Sequence, residues 1–409
     1  MTQTLEVARP TDAAKPGVRP VRVAFVANNL TPYRVQAHVR FKREIPGLEI
    51  RTLITWDISR NLWVYKDMPD IGVTTYPGAI AESMIGSIDY YVGDYRTGGR
   101  VIADLEAWKP DALVVCGYGY PAMLRVLRWA WGRRLPTLLW TDSNVHSDSA
   151  TGIKRLVKNA LVGRVARGCD AVLVCGENGA RYWARYGADP ARMFRLPIDP
   201  DYDLIERTPD ELVREVARVH DLRPGRRRFL VCARLVPVKA VDQAIDAFCA
   251  IARKRDDVDL VILGNGPLRA ELQGRVPSPL RDRVRFAGFQ DRQEVVNAFY
   301  RLCDVLVHPA TWEPWGVVLL EAAAAGLAIV TTSVVGAAPE AAHDGVNAVV
   351  IRPNDRRALM RAMMTVTEPG RLEAMKAASL RVSAHQRETC DPVRGLRDAL
   401  TKAGVLAGE

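Results

Sequence analysis

Nowhere in this sequence do two cysteines stand as Cys-x-x-Cys, and the seven present (Cys116, Cys169, Cys175, Cys232, Cys249, Cys303 and Cys390) are odd in number and scattered. That pattern speaks against a zinc module or a disulfide framework; several of the thiols fall in apolar strand-like runs, as buried thiols of a reduced compartment do. The first 19 residues lack an apolar stretch and contain Pro10, Pro16 and Gly17, so they read as a loose tail and not a signal peptide, which points to the cytoplasm. Long hydrophobic runs are scarce as well. The stretch a hydropathy window would select, Val317 to Ala338, has Glu321 as its single charge, but Gly326 and Thr331-Thr332-Ser333 divide it into a buried helix and a buried strand. Acid is in deficit: 47 Asp and Glu against 57 Lys and Arg give a formal charge of +10, which calls for a nucleotide, a nucleic acid or an anionic lipid as partner.

What is there is an alternation. Apolar runs at Val21 to Ala27, Leu48 to Ile54, Ala112 to Cys116, Thr137 to Trp140 and Ala171 to Cys175 read as strands separated by helix-length segments such as Arg34 to Glu44. Prolines 197, 200, 209 and 224 then bracket a charged segment, Glu211 to Arg218, and the alternation restarts with strands at Phe229 to Ala233, Leu260 to Leu263, Val284 to Phe286, Val305 to Val307, Ala328 to Thr331 and Ala348 to Ile351. Helices are expected over Val241 to Lys254, Leu268 to Arg275 and Arg292 to Leu302. The order predicts an α/β chain of two parallel-sheet domains, with ligands bound outside the carboxyl ends of the strands in a cleft between them.

The sharpest local signal is a pair of carboxylates. Glu313 precedes Pro314-Trp315-Gly316, a turn that feeds a helix containing Glu321. The first amides of that helix have no helical partner and suit an anion. With about 1.5 Å of rise per residue, Glu321 lies roughly 8 Å beyond Gly316, so a diphosphate on the helix start would have one carboxylate on each side. Arg234 and Lys239 follow a strand at a βα turn, where a guanidinium and an ammonium can neutralise such a group. Gly264 and Gly266 flank Asn265 after another strand, either for close approach of backbone to a ligand or for a tight strand-to-helix turn.

These pieces, Ala233-Arg234-Leu235 with Lys239, Leu263-Gly264-Asn265-Gly266-Pro267, Val284-Arg285-Phe286-Ala287-Gly288-Phe289, Glu313-Pro314-Trp315-Gly316 through Glu321-Ala322, and Gly336 with Pro339-Glu340, resemble in their order the donor half of the family 4 (group 1) retaining glycosyltransferases. The resemblance covers about residues 228 to 355 and fades toward the amino terminus. It implies two Rossmann-like domains facing across a cleft (GT-B type) and transfer of a sugar from a nucleotide diphosphate-sugar, with that donor as substrate and no cofactor or metal. It further implies that Arg234 and Lys239 meet the diphosphate, Glu313 the donor sugar, Glu321 the ribose, Gly316, Val317 and Val318 the phosphate through their amides, and Gly288 and Phe289 the base. Retention proceeds by same-face attack, so no protein nucleophile is expected. The organisation expected is a tail over 1–19, an acceptor-side domain over 20–198, a linker over 199–225, a donor domain over 226–382, and a helix over 383–409 that packs back on the first domain.

The first domain departs from the family. Asn28-Asn29-Leu30-Thr31-Pro32-Tyr33-Arg34 replaces a glycine pair, leaving Asn29 and Arg34 as acceptor-side candidates. Where many relatives have a histidine after the fourth strand, the chain reads Trp140-Thr141-Asp142-Ser143-Asn144-Val145-His146, so Asp142 and His146 are the catalytic candidates there. Asp199, Asp201 and Asp203 form Asp-x-Asp patterns in the linker, without the further oxygen ligands a cation needs. Residues 121 to 168 hold nine basic side chains, among them Lys154, Arg155, Lys158, Arg164 and Arg167, against Asp142 and Asp148, beside an apolar stripe of Ile153, Leu156, Val157, Ala160 and Leu161. That face reads either as ordinary helices with buried stripes or as a peripheral contact with anionic lipid. The acceptor is then a sugar or lipid-linked glycan precursor. A sugar-nucleotide epimerase of the same fold and a basic nucleic-acid-binding protein are the alternatives; against the latter stands the lack of a nucleic-acid module.

Overall fold

The computed structural model describes residues 19–56, 70–80, 87–148 and 150–407, so the expected tail, apart from Arg19, lies outside the described residues. The first unit runs β1 (Val21–Ala27), α1 (Pro32–Glu44), β2 (Leu48–Trp56), β3 (Val73–Ile80), α2 (Ile88–Trp108), β4 (Ala112–Cys116), α3 (Pro121–Gly132), β5 (Thr137–Thr141), α4 (Gly152–Gly168), β6 (Ala171–Val174), α5 (Glu177–Arg185) and β7 (Met193–Arg195). Its sheet has the order β3-β2-β1-β4-β5-β6-β7 with every pairing parallel. Central strands are buried on both faces, which is why they read as continuous apolar runs. The two strands absent from the sequence reading are the edges. β3 contains Pro77-Gly78, which an edge strand tolerates, and β7 is three residues long.

The second unit runs α6 (Tyr202–Glu206), α7 (Asp210–Val219), β8 (Arg227–Cys232), α8 (Val241–Ala252), β9 (Val258–Leu263), α9 (Arg269–Arg275), β10 (Val284–Gly288), α10 (Gln293–Leu302), β11 (Val305–His308), α11 (Val317–Ala324), β12 (Ala328–Thr332), α12 (Ala338–Ala341), β13 (Ala348–Ile351), α13 (Arg356–Val366) and α14 (Arg371–Thr389), followed by α15 (Pro392–Lys402). The sheet order is β10-β9-β8-β11-β12-β13, again parallel throughout. Apolar clusters cover both faces of each sheet. All seven cysteines are unpaired, five of them buried. Among the described residues no helix is long and apolar enough to cross a membrane.

Two boundaries differ from the sequence reading. Residues 199–225 are not a bare linker: α6 and α7 pack on α10 and α11, and Val216 and Leu222 join the second core. The segment is amphipathic, with Leu212, Val213, Val216 and Ala217 facing inward behind its charged side. The carboxyl-terminal helix does not begin at residue 383 either. α14 is continuous to Thr389, the chain turns at Cys390-Asp391, and Pro392 starts α15, which packs on β6, β7 and α1 of the first unit.

The two crossings lie side by side, lining one cavity of about 500 Å³ with Arg40, Asp199, Asp201, Arg387 and Asp391. Burial pushes the Asp199 carboxyl up to about 7, with Arg40 pulling against it and Asp391 adding to the push. A carboxyl raised above its ordinary 3.8 holds its proton more tightly in the folded chain, so its contribution to stability is full at low pH and is lost as pH rises toward about 7. Asp199→Asn is therefore expected to gain in Tm relative to the wild type across that window; parallel Tm profiles would contradict it.

The basic face also resolves differently from its sequence reading. The Asp148 side chain is fully buried and receives Arg155 at 2.6 Å, Lys158 at 3.0 Å and Arg185 at 3.2 Å, plus the Tyr186 hydroxyl at 2.8 Å. Arg155 and Lys158 thus hold α4 to the protein and are not free for lipid. The apolar stripe of α4 is what faces solvent.

Candidate active site

The carboxyl ends of the two sheets face each other, and the loops beyond β1, β5 and β6 meet those beyond β11 and β12. Gly316 caps α11 with φ 91°, a left-handed turn that favours glycine, and no side chain caps this helix. A Cβ there would stand 2.7 Å from Val335 and 3.0 Å from Glu313 Cγ, so the glycine is also what lets Glu313 pack against the helix start. The first-turn amides of Val317 and Val318 have no carbonyl within the helix to meet.

Around that helix start the structure gathers a cation, a carboxylate and an imidazole. Lys239, in a short 3₁₀ turn after β8, donates from Nζ to Glu313 Oε2; His308, the last residue of β11, lies 3.2 Å from the same oxygen through Nε2. Lys239 and His308 are buried, and burial alone would push the Glu313 carboxyl up. The His308 hydrogen bond and the Lys239 charge outweigh that push and hold it at about 2. Glu313 is therefore a fixed anion at any ordinary pH.

Glu321 is in a different environment. It is 1% exposed, and its oxygens accept from Gln293 Nε2 at 2.9 Å, Tyr300 Oη at 2.8 Å and Tyr33 Oη at 3.0 Å. Burial pushes its carboxyl up, while the Tyr300, Tyr33 and Gln293 bonds pull against the rise. Tyr33 belongs to α1 of the first unit, so this carboxylate is one point where the units touch. A carboxylate offers about four acceptor directions, and protein groups take three of them.

From the first unit, Asn144 reaches the cluster. Its Nδ2 donates to Pro314 O at 2.6 Å and Glu313 O at 3.3 Å, while its Oδ1 accepts from the amides of His146 and Ser147. Asp142, open to solvent on one side, is enclosed on the others by the cleft wall, which pushes its carboxyl up; Arg34 opposes the rise and Glu313 adds to it. Arg34 lies over the Trp140 ring and donates to Asn29 O at 3.3 Å. These interactions place Arg34, Asp142 and Glu313 in one field. His146 stands outside it, exposed, with Arg181 of α5 as its charged neighbour.

Other candidates divide. Arg234 is exposed in the same loop as Lys239, and Phe289 is half-buried at the end of β10 beside Gly288. Gly264 and Gly266 pack backbone on backbone: a Cβ on Gly264 would stand 1.9 Å from Ala233 O and one on Gly266 2.4 Å from Leu235 O. Glu340 accepts from the Glu177 amide at 2.6 Å at the start of α5 in the other unit. Asp199, Asp201 and Asp203 are turned to other tasks: Asp199 accepts from Tyr202, Asp201 caps α6 and Asp203 pairs with Arg387. Among the described residues no three potential ligands converge for a metal.

Sequence reasoning missed His308, Asn144, Tyr33, Gln293 and Tyr300. His308 could have been suspected, since a histidine closing an apolar strand five residues before Glu313 is placed at a carboxyl edge. The three partners of Glu321 come from elements far apart in sequence and left no local signal.

With this geometry in hand, comparison with known proteins gives a consistent answer. Residues 213–379 match the family of glycosyl transferases group 1. The GDP-mannose-dependent alpha-(1-6)-phosphatidylinositol dimannoside mannosyltransferase of Mycobacterium tuberculosis is 29% identical over 291 residues, covering 65% of this chain and 73% of that one. Glycogen synthase of the same organism is 36% identical over 172 residues, 41% of this chain and 40% of that one. In fold, Anabaena Alr3699/HepE in complex with UDP superposes with a TM-score of 0.70 at 16% identity over 94% of this chain and all (100%) of that chain. WaaG, a glycosyltransferase involved in lipopolysaccharide biosynthesis, gives 0.65 at 18% identity over 95% of this chain and 100% of its own. The chain shares the two-sheet GT-B architecture of these structures, and its residues 213–379 match the glycosyl transferases group 1.

Proposed function

We propose that the chain moves a hexosyl group from a nucleoside diphosphate sugar to a hydroxyl of a sugar or lipid-linked acceptor held between the units, with retention at the anomeric carbon. The observation that carries this reading is the Lys239–Glu313–His308 cluster at an uncapped helix start that faces the other unit. In this reading the diphosphate rests on the amides of Gly316, Val317 and Val318, with Lys239 and Arg234 balancing its charge. Glu313, held ionised, accepts from the donor sugar hydroxyls, and Glu321 uses its remaining acceptor direction for the ribose. As the bond from C1 to the phosphate oxygen breaks, the acceptor oxygen bonds C1 from the same face. Its proton passes to the departing phosphate, so no protein nucleophile is required.

The lipid-linked acceptor is supported by the mycobacterial relative, a GDP-mannose-dependent phosphatidylinositol dimannoside mannosyltransferase. A thermal-shift panel of nucleoside diphosphates tests the donor side: one base should raise Tm by several degrees, since a ligand that binds only the folded state stabilises it by mass action. Mass analysis of the product with the matching sugar donor should then show a lengthened acceptor. Release of free sugar alone would favour the epimerase, and no shift with any diphosphate would overturn the reading.

A further inference from the structure

Glu321 is the carboxylate assigned above to the donor ribose, yet it is closed off, with 1% of its surface exposed. Its acceptor directions are nearly all taken. Oε1 accepts from Tyr33 Oη at 3.0 Å and Gln293 Nε2 at 2.9 Å, which fills that oxygen, while Oε2 accepts from Tyr300 Oη at 2.8 Å and keeps one direction. The adjacent 2′- and 3′-hydroxyls of a ribose meet a carboxylate with one hydroxyl on each oxygen, so they need a place on Oε1 that is already occupied. One of its two partners has to give way.

The partners differ in how firmly they are held. Tyr300, in α10, is 0% exposed within an apolar cluster of the second unit. Gln293 opens the same helix, and its Nε2 also donates to Asn297 Oδ1 at 3.2 Å, so both of its N–H groups are placed by its own unit. Tyr33 is the partner that crosses the cleft. It stands in the first turn of α1, behind the Thr31 cap and Pro32, and among the described residues its hydroxyl bonds Glu321 alone. That hydroxyl is held to the second unit by a single bond, which rotation of the side chain or separation of the units breaks without disturbing either sheet.

The departure of Tyr33 is costly unless another donor replaces it. A hydroxyl on a buried carboxylate makes a charge-assisted bond, and a carboxylate that loses one donor in a closed site loses more than a surface group would. A ribose hydroxyl restores the bond, whereas a nucleoside without one leaves the oxygen short, and the tyrosine then stays. Tyr33 and the ribose are thus alternatives at one oxygen. The tyrosine opposes a nucleotide that carries the diol and is indifferent to one that does not.

We infer that the Tyr33 hydroxyl holds the place of a ribose hydroxyl on Glu321 and is displaced when a nucleoside diphosphate binds, so that donor entry releases a bond between the units. The inference rests on the ribose reading of Glu321 given above. Calorimetry on the full chain tests it with GDP and UDP, each beside its 2′,3′-dideoxy counterpart. The wild type should prefer the ribose form of the favoured base by no more than about tenfold, since one of the two new bonds replaces a bond already made. Tyr33→Phe, which keeps the ring and removes the hydroxyl, should bind the ribose form about tenfold more tightly and widen that preference to about a hundredfold. Its affinity for the dideoxy form should stay at the wild-type value, which also reports an intact site. A wild-type preference well beyond tenfold, ribose binding unchanged or weakened by Tyr33→Phe, or equal tightening of both forms would each overturn the inference; the first of these needs no variant. Any of them leaves the donor reading standing, because a diphosphate has bound, whereas failure of both GDP and UDP to bind overturns the two together.

Discussion

Lys239→Met is expected to lower transferase turnover by about a thousandfold, because one substitution removes two effects that lie in series. The first is the cation nearest the proposed diphosphate: a preorganised charge in a site this enclosed acts on the leaving group far more strongly than one in water. The second is the state of Glu313. Lys239 and His308 together hold that carboxyl down against its burial, and with the ammonium gone the balance moves toward the proton. Two readouts follow. The loss should fall mainly on kcat, and the residual activity should acquire an acid limb, at higher pH than the wild type shows, as Glu313 becomes protonated. Retention of activity within tenfold, or a loss confined to KM, would refute the assignment.

Glu321→Ala is expected to abolish the nucleotide-induced Tm shift and to destabilise the chain by about 2–4 kcal/mol, since it strands buried donors. Tyr300, Tyr33 and Gln293 all point at this carboxylate, and Tyr300 is wholly enclosed. Tyr300→Phe separates the two consequences. It removes one of the three bonds, costs about 1 kcal/mol and should leave the nucleotide shift in place. If Glu321→Ala still responds to the diphosphate like the wild type, the carboxylate is a packing device and not a ligand contact.

How far the sequence carried these conclusions depends on the range of the physics involved. Parallel strands buried on both faces write themselves as apolar runs, so β1, β4, β8, β11 and β12 were legible almost to the residue, while edge strands β3 and β7, short or interrupted by Pro77-Gly78, were not. Glu313, Gly316 and Glu321 share one turn and helix, so their grouping showed as spacing. Lys239 was marked for the same anion by its place at a βα turn, and the resemblance of the whole series set it beside them. Asn144, two residues from His146, illustrates what stayed hidden: a short amide side chain gives no local sign that it will reach across to Pro314 of another unit. The basic face misled for a related reason. Arg155 and Lys158 counted as free charge until the fold put the Asp148 side chain beneath them, and of the two readings of the stripe, buried or outward, the structure has the outward one.

Because the backbone passes from one unit to the other twice, near Asp199 and again at Cys390-Asp391, and both passages line the same cavity, the halves are joined like a door on two adjacent pins. Such a linkage resists twisting and sliding and leaves swing about the line through the pins as the soft motion. Opening would then separate Tyr33 from Glu321 and Asn144 from Pro314 in one stroke, so ligand admission and the breaking of these cross-unit bonds become a single event.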